Sequence, residues 1–181
     1  TSNFTNGKAC FSIIISLIYY GKIEASWIHD PISSSTIFAV RDEGCWEEET
    51  QLNLKKFARI EEMTGSFPRG LTHTLRKLKF KGKKGIPNLI DRYRCVGREY
   101  MDLARGKLNF LYYSGELKPW DHAAGILIYR EIGGYDALLN NKISYDPLSK
   151  KCNDNIILCQ DCNFWHKLVA LRDRCKKVKI F

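Results

Sequence analysis

The sequence predicts a mixed α/β chain, and three stretches predict it. The run from Phe11 to Tyr20 is nearly all apolar, rich in β-branched residues and of strand length. Two more strand-like segments, Ile23 to His29 and Thr36 to Arg41, follow it across turns at Gly21-Lys22 and Asp30-Pro31. Far downstream, Trp120, Ala124, Leu127, Ile128 and Glu131 recur at helical spacing. Pro119 suits a helix entry and Gly133-Gly134 a helix end, so the pattern predicts a helix opening near Asp121.

In chain order, Phe11 to Tyr20 reads as a central strand buried on both faces. In the next strand Ile23, Ala25 and Trp27 alternate with Glu24 and Ser26. His29 reads as a strand-end residue beside the Asp30-Pro31 turn. Glu47-Glu48-Glu49 predicts a solvated loop or edge. Leu52, Phe57, Ile60 and Met63 fit a short strand and then a mostly polar helix, before a loop over Gly65–Gly70. Leu71, Leu75 and Leu78 predict a helix reaching Phe80. Tyr93–Val96 reads as a short strand, Glu99–Gly106 as a helix closed by Gly106, and Leu108–Tyr113 as a strand. Tyr135–Leu139 and Ile143–Tyr145 read as a hairpin around Asn140-Asn141. Ile156–Cys159 is a last strand, and Phe164, Leu168 and Leu171 mark a last helix.

With 181 residues and 44% hydrophobic content, the chain can bury one sizeable core or two small ones. An aromatic content of 12% argues against global disorder. The Phe11–Tyr20 run is too short to span a bilayer, so no membrane partner is expected. Seven cysteines are scattered through predicted strands and helices, which reads as free thiols in a reducing, cytoplasmic setting. Cys159-x-x-Cys162 lacks the second pair a zinc site needs. The net charge of +9 gathers in Arg76 to Gly85 and in Arg172 to Lys179. Neither stretch carries a groove-reading motif or spaced stacking aromatics, so solvated surface is expected rather than nucleic-acid contact. The same charge would draw an anionic substrate.

Asp121 in the first turn of a helix has two readings. It caps the helix and favours its dipole, or it is an oxygen ligand for a hard divalent cation. Trp120-Asp121-His122-Ala123-Ala124-Gly125, followed by Glu131-Ile132-Gly133-Gly134, resembles the second signature of the inositol monophosphatase family. Thr1-Ser2-Asn3-Phe4 is similar to the last four positions of that family's first signature, Asp-Pro-x-Asp-Gly-Thr-x-Asn-Phe. Arg94-x-Val96-Gly97 before a helix is similar to its substrate-side loop, although a plain strand-to-helix glycine has the same look.

The resemblance implies a layered α/β/α/β/α sandwich, usually dimeric. Residues 1–51 would complete a metal-binding sheet half, and residues 52–181 would form the half carrying the Trp-Asp motif. It implies Mg²⁺-dependent hydrolysis of a small phosphate monoester, as by an inositol-1-monophosphatase. Asp121 would ligate metal, the Thr1 hydroxyl would orient the attacking water, and Ser2 and Gly97 would contact substrate. The family's other acidic ligands precede the position matched by Thr1, so the chain alone is expected to be inactive. Ser114 stands where inositol-specific members carry Glu, and Arg98-Glu99 where small residues are common. The inositol-hydroxyl contact therefore does not carry over, and nucleotide, histidinol or sugar phosphates stay open as substrates. A non-catalytic module binding anions or nucleic acid through the basic surface is the alternative of a different kind.

Overall fold

The computed structural model describes residues 2–149 and 154–177, except the side chains of Ser2 and Lys177. The first sheet is an antiparallel meander in which each strand pairs with the next. Its members are β1 (Ile13–Tyr19), β2 (Lys22–Asp30), β3 (Ser35–Val40), β4 (Gly44–Glu47) and β5 (Thr50–Leu52). Tyr20 and Gly21 both take positive φ, at 45° and 78°, which gives the tight turn joining β1 to β2 a twist that suits a hairpin.

The second sheet is mixed. It contains β6 (Thr64–Ser66), β7 (Asn88–Leu89), β8 (Phe110–Tyr113), β9 (Tyr135–Leu138) and β10 (Ile156–Cys159), in the order β7-β6-β8-β10-β9. β6 runs parallel to both β7 and β8, while β10 is antiparallel to β8 and β9. A single helical turn, α1 (Ser2–Thr5), precedes the first sheet. The longer helices are α2 (Arg69–Phe80), α3 (Val96–Ala104), α4 (Pro119–Glu131) and α5 (Cys162–Lys177).

Helices α3 and α4 lie side by side between the sheets, with α4 against β1 to β4 and β9, and α3 against β2 and β8. Residues His122 to Tyr129 of α4 are all buried, so this helix is apolar around its whole circumference, as a helix enclosed between two sheets must be. One core fills this middle layer, around Ile28, Ile37, Leu127 and Leu158. A second lies where α2 and α5 cover the far face of the second sheet, around Phe67, Leu75, Trp165 and Leu168. The described residues thus stack as sheet, helices, sheet, helices.

The structure corrects several expectations. β1 is the edge strand of its sheet, and its residues alternate between half-buried and exposed instead of being buried twice over. Ile13, Ile15, Leu17 and Tyr19 are each more than half exposed on the outer face. In β2 the expected alternation breaks. A bulge at Leu17/Ile18 shifts the register, so Ser26 and Ile28 are fully buried while Trp27 faces out. Residues 57–63 form no helix beyond a 3-10 turn at Ile60–Glu62, and Thr64–Ser66 is a strand, not a loop. Tyr93–Val96 is not a strand: Arg94 adopts φ 58° and α3 already begins at Val96. The hairpin at Ile143–Tyr145 does not form as two strands, because β9 pairs with β10 instead. Glu47 is not solvated. It lies in β4, and the Arg105 guanidinium grips its carboxylate, with Nε 3.2 Å from each oxygen. That hydrogen bond holds the carboxyl below its ordinary range. Among the described residues every cysteine is a free thiol, as expected; Cys152 lies outside them.

Candidate functional site

The N-terminal segment is tied to the loop that opens α3. The buried Asn3 side chain donates to the carbonyls of Cys10 at 3.0 Å, Tyr93 at 2.9 Å and Arg94 at 3.3 Å. Two stretches some ninety residues apart, singled out independently in the sequence, therefore meet through one amide. Thr1 lies outside the described residues, and Ser2 is placed only as backbone in α1.

Gly97 sits in the first turn of α3 against the start of β1. A Cβ there would lie 2.1 Å from Ser12 Oγ and 2.8 Å from Ser12 Cβ, so glycine is required for packing at this crossing. Its neighbour Arg98 turns toward β2 and pairs with Asp30. Burial pushes the Asp30 carboxyl up, but the Ser33 hydroxyl, the Ile32 N–H and Arg98 outweigh it and hold the group below the usual range. Asp30 is thus committed to its turn. His29 is bonded instead to Thr36 Oγ1 across the strands at 2.9 Å, so the two do not form a catalytic pair.

Asp121 is half-buried in the first turn of α4, where the positive end of the helix favours a carboxylate. Its side chain makes no hydrogen bond or ion pair with another described residue. Pro119 occupies the first turn without losing a needed donor, and Trp120 is exposed with Lys118 over its ring. Among the described residues no three His, Cys, Asp or Glu side chains converge on a point that could hold an ion. The Asp121 carboxylate is an unpaired, dipole-assisted oxygen donor of the kind a hard divalent cation takes.

The rest of the signature serves packing. Gly125 leaves room for the Tyr100 ring, which would come within 2.0 Å of a Cβ. Glu131, at the other end of α4, accepts from the N–H of Asp42 at 3.1 Å and of Gly44 at 3.0 Å, and so fastens the β3–β4 turn to the helix. His122 is buried with Nδ1 3.0 Å from the Tyr100 hydroxyl. Burial, then the nearby Arg92, lowers its pKa to about 4, so the ring is neutral. These roles were not legible from residue type. A glutamate six residues after a small-residue run gives no sign of which turn it will meet.

A cavity of about 970 Å³ opens beside this group. It lies outside the carboxyl ends of the parallel strands β6, β7 and β8, the place where open α/β sheets take ligands. Phe67 and Pro68 follow β6, Asp91 and Arg92 follow β7, and Ser114 follows β8. Glu99 of α3 forms its buried wall, accepting from Tyr93 N–H and from the Tyr113 hydroxyl, each at 2.9 Å. Ser114 lines the cavity; Asp121, seven positions later, does not. The sequence reading missed the cavity because α2 and β6, which build one side of it, carry no motif.

Two sheets with a buried helix pair between them, and further helices on the far face of the second, define a layered α/β protein. Residues 1–161 match the inositol monophosphatase family, and the chain belongs to it. The Nus factor SuhB of Pasteurella multocida is 31% identical over 150 residues, covering 80% of this chain and 55% of the relative. A protein of Thermotoga maritima named fructose-1,6-bisphosphatase/inositol-1-monophosphatase is 27% identical over 139 residues, covering 74% and 51%. The chain spans about half the length of the curated relatives it matches. Among solved structures, the extragenic suppressor protein suhB of Bartonella henselae superimposes with a TM-score of 0.72 at 26% identity, covering 99% of this chain and 66% of that one. The IMPase of Thermotoga maritima, at 19% identity, has a TM-score of 0.76 over 97% and 66% and shares the fold.

Proposed function

We propose that the protein carrying this chain is a Mg²⁺-dependent phosphomonoesterase with Asp121 as a metal ligand. The observation that supports this most is the Asp121 carboxylate itself. It sits at a helix N-terminus, half-buried, with no partner of its own among the described residues. The buried carboxylates Asp30 and Glu99, by contrast, are committed to arginines and backbone amides. Phosphate monoesters resist attack because an anionic centre repels an anionic nucleophile. A bound divalent cation neutralises that charge and acidifies a bound water. In this reading Asp121 holds the cation, Thr1 orients the water, and the backbone at Ser2 and Gly97 faces the phosphate-bearing end of the substrate. The family's usual dimer belongs to the same reading.

The test is phosphate release from inositol monophosphate and from sugar phosphates by the protein, with and without Mg²⁺, and again with Asp121→Asn. Mg²⁺-dependent release that the substitution abolishes supports the reading. Release that survives it removes Asp121 as a ligand.

The charge of +9 favours one second reading, a non-catalytic module that binds anions or nucleic acid through its basic surface. Salt-sensitive RNA binding in the absence of any phosphatase activity would select it.

A further inference from the structure

Cys10 and Cys95 lie far apart in the sequence, and the fold brings them side by side. The Asn3 amide donates to the Cys10 carbonyl at 3.0 Å and to the Arg94 carbonyl at 3.3 Å. The Arg94 carbonyl belongs to the peptide that leads into Cys95, so one side chain holds both stretches of backbone together. Two residues after Cys10, Ser12 Oγ lies 3.5 Å from Cys95 Sγ. A Cβ at Gly97 would meet Ser12 and, at 3.1 Å, Ile14 Cγ1. Positions 10, 12 and 14 thus all face the opening of α3, as alternate residues of an extended chain do. The Cys10 thiol is within hydrogen-bond reach of the Cys95 thiol.

Other thiols are placed differently. Cys159 donates to the Asp161 carbonyl at 3.3 Å, Cys162 is exposed beside the Tyr135 hydroxyl, and Cys45 and Cys175 are buried. Cys10 is half-buried and Cys95 buried, so a soluble oxidant reaches Cys10 first.

We propose that Cys10 and Cys95 form a reversible disulfide, a modification site that fastens the N-terminal segment to the loop opening α3. The oxidant is a low-molecular-weight disulfide. The Cys10 thiolate attacks one of its sulfurs and displaces the other half as a thiolate, leaving a mixed disulfide on Cys10. The Cys95 thiolate then attacks the Cys10 sulfur and expels the second half. Two protein thiols are oxidised to one bridge, the oxidant is reduced to two small thiols, and the two protons pass to the departing thiolates. Excess small thiol runs the sequence backwards. The loop so fastened carries Arg92 and Arg94, which line the cavity, so the bridge ties one wall of the cavity to the N-terminal segment. This inference goes beyond the phosphatase reading and does not depend on it.

The experiment exposes the protein to glutathione disulfide, quenches with acid, alkylates free thiols and maps the peptides without reduction. Burial and then the neighbouring Cys95 push the Cys10 thiol up, while Arg98 draws it down, so mildly alkaline buffer supplies the attacking thiolate. The expected product is a peptide pair joined through Cys10 and Cys95, with a loss of about 2 Da for the intact chain and recovery of both thiols on adding dithiothreitol. Because the bridge closes a long loop, it restricts the unfolded chain, and the oxidised form should melt at least about 5 °C above the reduced one. Cys10→Ser removes both the linked pair and the gain in melting temperature. Cys10 is half-exposed, so this variant keeps the test valid if Cys95→Ser fails to fold. Glutathione left on Cys10 without a bridge, a bridge through other cysteines such as Cys159 and Cys162, or a melting temperature that does not rise overturns the proposal.

Discussion

Glu131 accepts two backbone hydrogen bonds from the β3–β4 turn, whereas Asp121, at the opposite end of the same helix, accepts none from a described residue. A charged group whose only support is a helix dipole adds little to stability. Asp121→Asn is therefore expected to leave the melting temperature within a few degrees. On the proposed phosphatase reading, it should cut Mg²⁺-dependent phosphate release by at least about 100-fold, on the order of 3 kcal/mol of barrier. Steady-state assay and thermal denaturation of the same preparations check both halves. Gly97 calls for the converse result. A Cβ at that site meets Ser12 at 2.1 Å, and Gly97→Ala should cost about 1–3 kcal/mol through overpacking, measured by urea unfolding. His122 adds a pH dependence. Its pKa falls from 6.5 to about 4 on folding, chiefly through burial. Below 6.5 the unfolded chain takes up a proton that the native state refuses, so stability drops as pH falls from about 6.5 to 4. The loss approaches roughly 3 kcal/mol by linkage. His122→Gln should flatten that part of the stability–pH curve, as followed by denaturant midpoints at pH 7, 5.5 and 4.5.

At the scale of elements, the sequence was most legible where one period ran unbroken. α4 was expected from near Asp121 to the glycine pair, and it spans Pro119–Glu131. β10 matches the expected Ile156–Cys159. Legibility failed where tertiary pairing overrode the local pattern. The unbroken apolar run of β1 suggested burial on both sides, yet position at the sheet edge decided its exposure. The bulge in β2, with Glu24 as its extra residue, switched which residues face inward, and no alternation count contains that information. β6 and β7 are so short that only their parallel pairing makes them strands. For the family, the Trp120-Asp121 string and the N-terminal match were legible as motifs. The cavity was not, because its arginines come from helix α2, a post-strand loop and a left-handed bend. The same reasoning yields a test of α4 as the clamp between the sheets. Glu131→Ala strands the Asp42 and Gly44 amides at a partly exposed site and should cost about 1–2 kcal/mol. Hydrogen exchange should show faster opening in the β3–β4 turn than in β8 or β10.

At the scale of the whole molecule, one face of the first sheet has no covering among the described residues. Ile13, Ile15, Leu17 and Tyr19 stand in a row on β1, and Trp27 lies directly across from Ile15. The same strand ends the sheet, so its outer N–H and C=O groups are unpaired within that sheet. An apolar row on an open edge is a surface that recruits another chain, both by burying side chains and by extending the ladder. Purified residues 1–181 are therefore expected to self-associate with rising concentration. Ile15→Lys combined with Leu17→Lys should shift the sedimentation profile toward monomer by placing charge on the row and repulsion at the edge. Because both side chains are more than half exposed, the change in unfolding free energy should stay within about 1 kcal/mol. The two measurements separate the causes. A monomer that remains as stable as the parent identifies this face as the adhesive one. Unchanged association of a well-folded variant would move the adhesive surface elsewhere, with the basic outer helices α2 and α5 next to be examined.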